Sequence, residues 1–312
     1  MKIHFYKGGE EKILEKSVVA LGFFDGVHKG HRAILKKGHE LARENSLSFA
    51  VFSFFSESEG IKSGTRLYST EEKARLIEET GCEELILADF DLLKDVSAED
   101  FAEKILIERL GAKFTVSGED FRFGKDRRGN SVLLSNVMKR HSARAYFVEE
   151  ESYLGKKLST TMIKGLLEKG DARLAAQLLG KPFYIKGRVE RGLGLGHGLG
   201  FPTVNLALHS QAALIKRGVY HSAVEIKGKL YTGLTNVGTC PTFDERSLHT
   251  ETYILDFDGE IYGDEVRVYF LDYLREERKF RTKDELTEEV RKNIETAKRL
   301  QGEIKWQELG IN

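Results

Sequence analysis

The decapeptide Gly22-Phe23-Phe24-Asp25-Gly26-Val27-His28-Lys29-Gly30-His31 constrains this chain more than any other stretch. An apolar run, Val18-Val19-Ala20-Leu21, leads into it, and a segment with helical patterning, Ile34–Ala42, leads out. A strand therefore runs through a glycine-rich turn into a helix. That geometry gathers backbone N–H groups and the positive end of a helix dipole at one spot, a natural seat for phosphate. His28 and His31, three apart, face one ligand if the helix has begun there. Gly30 between them has no Cβ to hold a bulky anion away. A lone histidine near a helix start is more often a cap or a surface group. Two that bracket a glycine after an Asp-Gly turn point to chemistry.

The first half of the chain alternates strand and helix. Ser17–Phe24, Leu47–Phe54, Glu84–Asp89, Phe114–Ser117 and Arg144–Val148 read as strands. Ser69 and Glu72 form a capping-box pair before a helix at Lys73–Thr80, and Ser97 and Asp100 open another at Ala98–Leu110. Strands alternating with helices predict a parallel sheet covered on both faces, with the ligand beyond the carboxyl ends of its strands. Two short helices, Thr161–Lys169 and Ala172–Leu179, follow. Then the texture changes, because all three prolines lie beyond residue 180. The short β-like runs Phe183–Val189, Val219–Ile226, Leu230–Thr235, Thr250–Phe257 and Glu265–Tyr273 predict a barrel. A charged amphipathic helix from about Asp284 to Gln301 closes it, with Leu286, Val290, Ile294, Ala297 and Leu300 as its apolar stripe. The expected domains are 1–180 and 181–312.

Composition narrows the class. Lys+Arg and Asp+Glu are each 49 in 312 residues, so no net charge favours a nucleic acid or a membrane surface. Cys82 and Cys240 are far apart and form no CxxC, so neither a metal site nor a disulfide framework is indicated. The start, Met1–Lys7, is too short and too charged for a signal peptide, and no run has membrane-spanning length. A soluble cytoplasmic protein is the expectation.

The second constellation is Gly192–Gly200 with the Phe201-Pro202-Thr203-Val204-Asn205 that follows. Alternating glycines, Gly192 and Gly196 among them, let backbone approach a ligand, as in a flap over phosphate; a barrel strand with a glycine-rich turn is the competing reading. On a strand, Thr203 and Asn205 share one face and offer neutral oxygens suited to Mg²⁺ carried in by ATP. Glu251 could act as general base on an alcohol. Taken alone, such a residue is more often a solvated strand-face carboxylate.

His28-Lys29-Gly30-His31 resembles the His-x-Gly-His signature of nucleotidyltransferases. Together with Gly118-Glu119-Asp120-Phe121-Arg122-Phe123-Gly124, Gly200-Phe201-Pro202-Thr203-Val204-Asn205 and Glu251, in this order, it makes nearly the whole chain similar to the prokaryotic bifunctional riboflavin kinase/FMN adenylyltransferase family. The resemblance implies a Rossmann-like α/β nucleotidyltransferase domain followed by a β-barrel riboflavin kinase domain with a terminal helix. It implies the substrates riboflavin, FMN and ATP, and Mg²⁺ as cofactor. His28 and His31 would act on the phosphates. Gly22, Phe23, Asp25, Gly30, Asp120, Ser159, Thr160, Thr161, Lys164, Gly192 and Gly196 would lie against the nucleotides, Phe121, Arg122 and Phe123 against flavin, and Thr203 and Asn205 on the metal, with Glu251 as base. For the two phenylalanines packing is the competing reading, and it is preferred for at least one of them. The chain also departs from the family pattern. Lys164 stands where an arginine is usual, keeping the charge and losing the bidentate fork, and Phe54–Ser58 lacks the usual proline and histidine. Those departures leave room for a kinase with a degenerate first domain, or for a flavin binder without turnover.

Overall fold

The computed structural model describes every residue except 10, 56–65, 150, 191–202, 208–214, 240–247, 303–309 and 311–312. The chain divides into two compact units, Met1–Gly64 with Tyr68–Thr160, and Thr65–Leu67 with Thr161–Asn312. The second unit therefore takes in the helix Ala172–Leu179 and most of the helix Thr160–Lys169 along with the barrel.

The first unit is built on a six-stranded sheet. Its strands are β1 (Lys2–Tyr6), β2 (Ser17–Leu21), β3 (Ser48–Phe55), β4 (Glu84–Asp89), β5 (Ala112–Gly118) and β6 (Arg144–Val148), in the spatial order β1-β4-β3-β2-β5-β6. Every neighbouring pair is parallel. Val18, Val19 and Ala20 are all fully buried, as a central strand covered on both faces requires. From β2 the chain steps outward to β3 and β4, then returns to the other side of β2 to place β5 and β6. The order reverses between β2 and β5, and the crevice at such a switch point is where open α/β sheets hold ligands.

The helix ends follow their caps. Ser69 accepts the N–H of Glu72 at 3.2 Å to start α2 (Thr70–Glu78, counted after α1 at Lys29–Asn45). Ser97 accepts the N–H of Asp100 at 3.0 Å. The helix it starts widens to a π-type helix over Phe101–Arg109, and the N–H of Leu110 reaches back to the carbonyl of Ile105. The edge strand β1 was not expected. Ile3 and Phe5 point outward, 43% and 55% exposed, so it lacks the buried alternation that marks a strand in sequence. A short hairpin, β7 (Ser152–Tyr153) and β8 (Lys156–Lys157), follows the sheet.

The second unit is a closed antiparallel barrel of β9 (Tyr184–Glu190), β10 (Thr203–Ala207), β11 (Gly218–Ile226), β12 (Lys229–Thr239), β13 (Leu248–Ile254) and β14 (Glu265–Arg275), in the order β10-β13-β12-β11-β14-β9. A hydroxyl ladder, Ser222 to Thr235 at 2.8 Å and Thr235 to Thr252 at 2.9 Å, crosses three strands without exposure to water. The terminal helix Lys283–Gly302 packs on the barrel, where Ala297 joins Val219, Leu234 and Leu255 in one buried cluster.

Candidate functional site

In the first unit the site grows from the end of β2. Gly22 has no room for a side chain, since a Cβ there would fall 2.8 Å from the Phe24 ring. Phe24, Gly26 and Val27 all take positive φ (52°, 82° and 41°). For a β-branched valine that backbone is strained, and both Phe24 and Val27 are fully buried, so packing enforces it. The strained turn delivers His28 to the N-cap of α1. Its Nδ1 accepts the N–H of His31 at 3.3 Å, which leaves the proton on Nε2 as a donor. The two imidazoles stack, centroids 3.6 Å apart and planes 18° off parallel. A Cβ at Gly30 would stand 3.3 Å from the His28 ring, so this glycine makes room for the histidine as well as for an anion.

Burial, then the nearby charge of Lys157, pushes His28 down to about 4. Burial also holds His31 well below the ordinary histidine range, with His28, Lys73 and Lys157 adding to it. Both rings are therefore neutral near pH 7. The Nδ1 of His31 is buried with no hydrogen-bond partner. The pair offers neutral donors under a helix N-terminus with two lysines close by, an environment that waits for an anion.

Of the other expected residues, Asp25 is buried and its carbonyl accepts the Thr160 hydroxyl at 3.0 Å. Phe23 is 42% exposed beside the turn, its ring stacked on Phe54 at 5.7 Å. Asp120 pairs with Lys157, whose charge is also felt by both histidines, so it reaches the site through that lysine. Ser159 precedes Thr160 in the first unit, whereas Thr161 and Lys164 belong to the second. Phe123 is buried in the core against Phe101 and stacks on the half-buried Phe121 at 5.5 Å, so packing accounts for both rings. Arg122 donates to the carbonyl of Phe121. Gly192 and Gly196 lie outside the described residues, as do Ser56–Ser58. Sequence reasoning missed Lys157, which nothing but its place on the hairpin marks out.

In the barrel, Glu251 on β13 is in register with Asn205 on β10 and with Asn236 on β12. Directly paired residues share a face, so the three form one polar row. Thr203 donates to Glu251 at 2.6 Å. The hydroxyl keeps its lone pairs, so Thr203 and Asn205 fit a hard cation that arrives already bound to phosphate. Among the described residues no group of three His, Cys, Asp or Glu side chains forms a metal cluster. A cavity of about 300 Å³ opens beside the row, bounded by Thr203, Asn236, Glu251, Phe280, Val290 and Asn293. Over it, Phe280 lies against the guanidinium groups of Arg275 and Arg278, and both arginines pair with Glu289 on the terminal helix. Asn236, Phe280 and Asn293 escaped the sequence because only barrel closure and helix docking bring them to Glu251.

Comparison with known proteins agrees with both halves. Residues 10–162 match the model of the FAD synthetase family and residues 179–301 that of riboflavin kinase. The bifunctional riboflavin kinase/FMN adenylyltransferase of Haemophilus influenzae is 36% identical over 296 residues, 92% of this chain and 95% of that protein. The Bacillus subtilis protein of the same name is 33% identical over 291 residues, 90% and 92% of the two chains. A crystal structure described as a macrolide-efflux protein from Streptococcus pneumoniae superposes with a TM-score of 0.84 at 30% identity, over 96% of this chain and 99% of that one. Among the described residues no helix here is long and apolar enough to cross a membrane. With its His28–His31 pair set by a strained turn, its Glu251 barrel and relatives matched over nearly their whole length, the chain belongs to the bifunctional riboflavin kinase/FMN adenylyltransferase family.

Proposed function

We propose that the barrel unit transfers the γ-phosphoryl group of ATP to the 5′-hydroxyl of riboflavin, and that the first unit then joins FMN to the AMP moiety of a second ATP. The functional division falls near residue 180, and a cytoplasmic setting goes with these substrates. In the kinase step Glu251 takes the hydroxyl proton as the oxygen attacks the γ-phosphorus and ADP leaves. The Thr203 hydroxyl, 2.6 Å from the carboxylate, holds it in orientation. Thr203 and Asn205 would hold Mg²⁺. When bound, that ion neutralises charge on the ATP phosphates. The isoalloxazine has a fitting place in the cavity beside Glu251, against Phe280 and Val290.

In the adenylyl step an FMN phosphate oxygen attacks the α-phosphorus of ATP and the bond to the β-phosphate oxygen breaks, releasing pyrophosphate. His28 and His31, neutral in the free protein, donate hydrogen bonds to the phosphate oxygens as negative charge moves onto them. Lys157 and the α1 N-terminus supply the positive field. No covalent intermediate is needed; positioning and electrostatics carry the step.

The observation that supports the kinase reading best is the Thr203–Glu251 bond, with Glu251 in register with Asn205 and Asn236. Purified protein given riboflavin, ATP and Mg²⁺, followed by HPLC, tests both reactions. FMN should appear first and FAD after it. FMN without FAD, even when FMN is supplied directly, would leave a kinase with a first unit serving another purpose.

A further inference from the structure

Lys73, in the second turn of α2, is a lysine almost without exposure (3%), and no sequence motif drew attention to it. Its Nζ stands 3.1 Å from the Ser53 hydroxyl and 3.5 Å from the Phe23 carbonyl, and it also donates to the Phe54 carbonyl. Ser53 in turn donates to the Phe23 carbonyl at 2.9 Å. The ammonium lies 5.4 Å from the centre of the Phe23 ring, which stacks on Phe54. One buried cation thus joins the carboxyl end of β3 to the residue that opens the strained Gly22–His31 turn. The geometry points to Lys73 as a positioning residue for adenylyl transfer: by tying Phe23 to Ser53 and Phe54 it fixes the start of the turn that aims His28 and His31 at the phosphates.

Burying an ammonium is costly, and here the Ser53 hydroxyl and the Phe23 and Phe54 carbonyls accept from it and offset that cost. Methionine has a similar length, so it keeps the packing and removes the charge and these three bonds. The Lys73 charge also contributes to the field that keeps His31 neutral, so it lies within electrostatic reach of the reacting phosphates. Displacements of about 1 Å at a reacting centre cost on the order of 10²-fold in rate.

The inference rests on the adenylyl-transfer reading, and the test separates the two. In full-length protein with FMN, ATP and Mg²⁺, the wild type must form FAD; if it forms none, that reading fails and this one with it. Given wild-type activity, Lys73→Met should lower kcat roughly 10- to 100-fold with KM for FMN little changed, while Lys73→Arg, which keeps the cation, recovers most of the rate. A Lys73→Met enzyme as fast as wild type, or faster than Lys73→Arg, overturns the assignment and leaves the adenylyl reading standing. If Lys73→Met does not fold, Ser53→Ala decides: a roughly three- to ten-fold loss of kcat at an unchanged melting midpoint supports the tie, and an unchanged kcat overturns it.

Discussion

His28 and His31 stack at 3.6 Å, and the Nδ1 of the first accepts the backbone N–H of the second. One ring therefore fixes the helix start that carries the other, and the pair acts as a unit. His31→Ala should lower FAD formation from FMN by about 10²–10³-fold, the usual loss for a donor aimed at developing charge. Riboflavin phosphorylation, for which Glu251 in the other unit is the proposed base, should stay within about two-fold of wild type; parallel assays of both products check this.

Burial sets a pH dependence with a definite sign. His28 titrates near 4 in the folded protein and near 6.5 when unfolded. Between those values the unfolded chain holds the extra proton, so stability is full above about pH 6.5 and falls as pH drops toward 4. The loss from His28 is on the order of 3 kcal/mol across the window. His28→Asn keeps an N-cap side chain without the titrating ring. Its unfolding free energy should fall less than that of wild type between pH 7 and 5 in denaturant titrations.

Glu251→Gln removes the proposed base but keeps the shape. FMN formation should drop by about 10²–10⁴-fold while FAD formation from supplied FMN persists. Circular dichroism of the variant checks that the barrel is intact.

Thr203→Val keeps the strand and removes an oxygen donor. The Mg²⁺ concentration for half-maximal kinase rate should rise several-fold, with the requirement of adenylyl transfer unchanged. Titrating Mg²⁺ in the two assays separately reads the difference.

The histidine pair was legible in sequence because strand, turn and helix start lie within about fifteen consecutive residues, and local geometry is what sequence spacing encodes. The caps at Ser69 and Ser97 were legible for the same reason. The row Asn205–Glu251–Asn236 was only half readable. Thr203 and Asn205 belong to one strand, but their alignment with Glu251 and Asn236 depends on cross-strand register, which long connections leave open. Phe123, an aromatic beside a substrate-loop motif, lies in the core, in line with the packing reading that the sequence favours for at least one of the two phenylalanines. Lys73 sits in an ordinary-looking helix, and its bonds to Ser53 and Phe54 are visible only where β2 and β3 end side by side.

Following the label from ATP through both steps tests the account most directly. Riboflavin and Mg²⁺ are supplied with ATP labelled either at the γ- or at the α-phosphorus. With γ-labelled ATP the label should appear first in FMN and then in FAD. With α-labelled ATP it should appear in FAD and never in FMN. Labelled FMN from α-labelled ATP, or no transfer of either label to flavin, would contradict the two-site account.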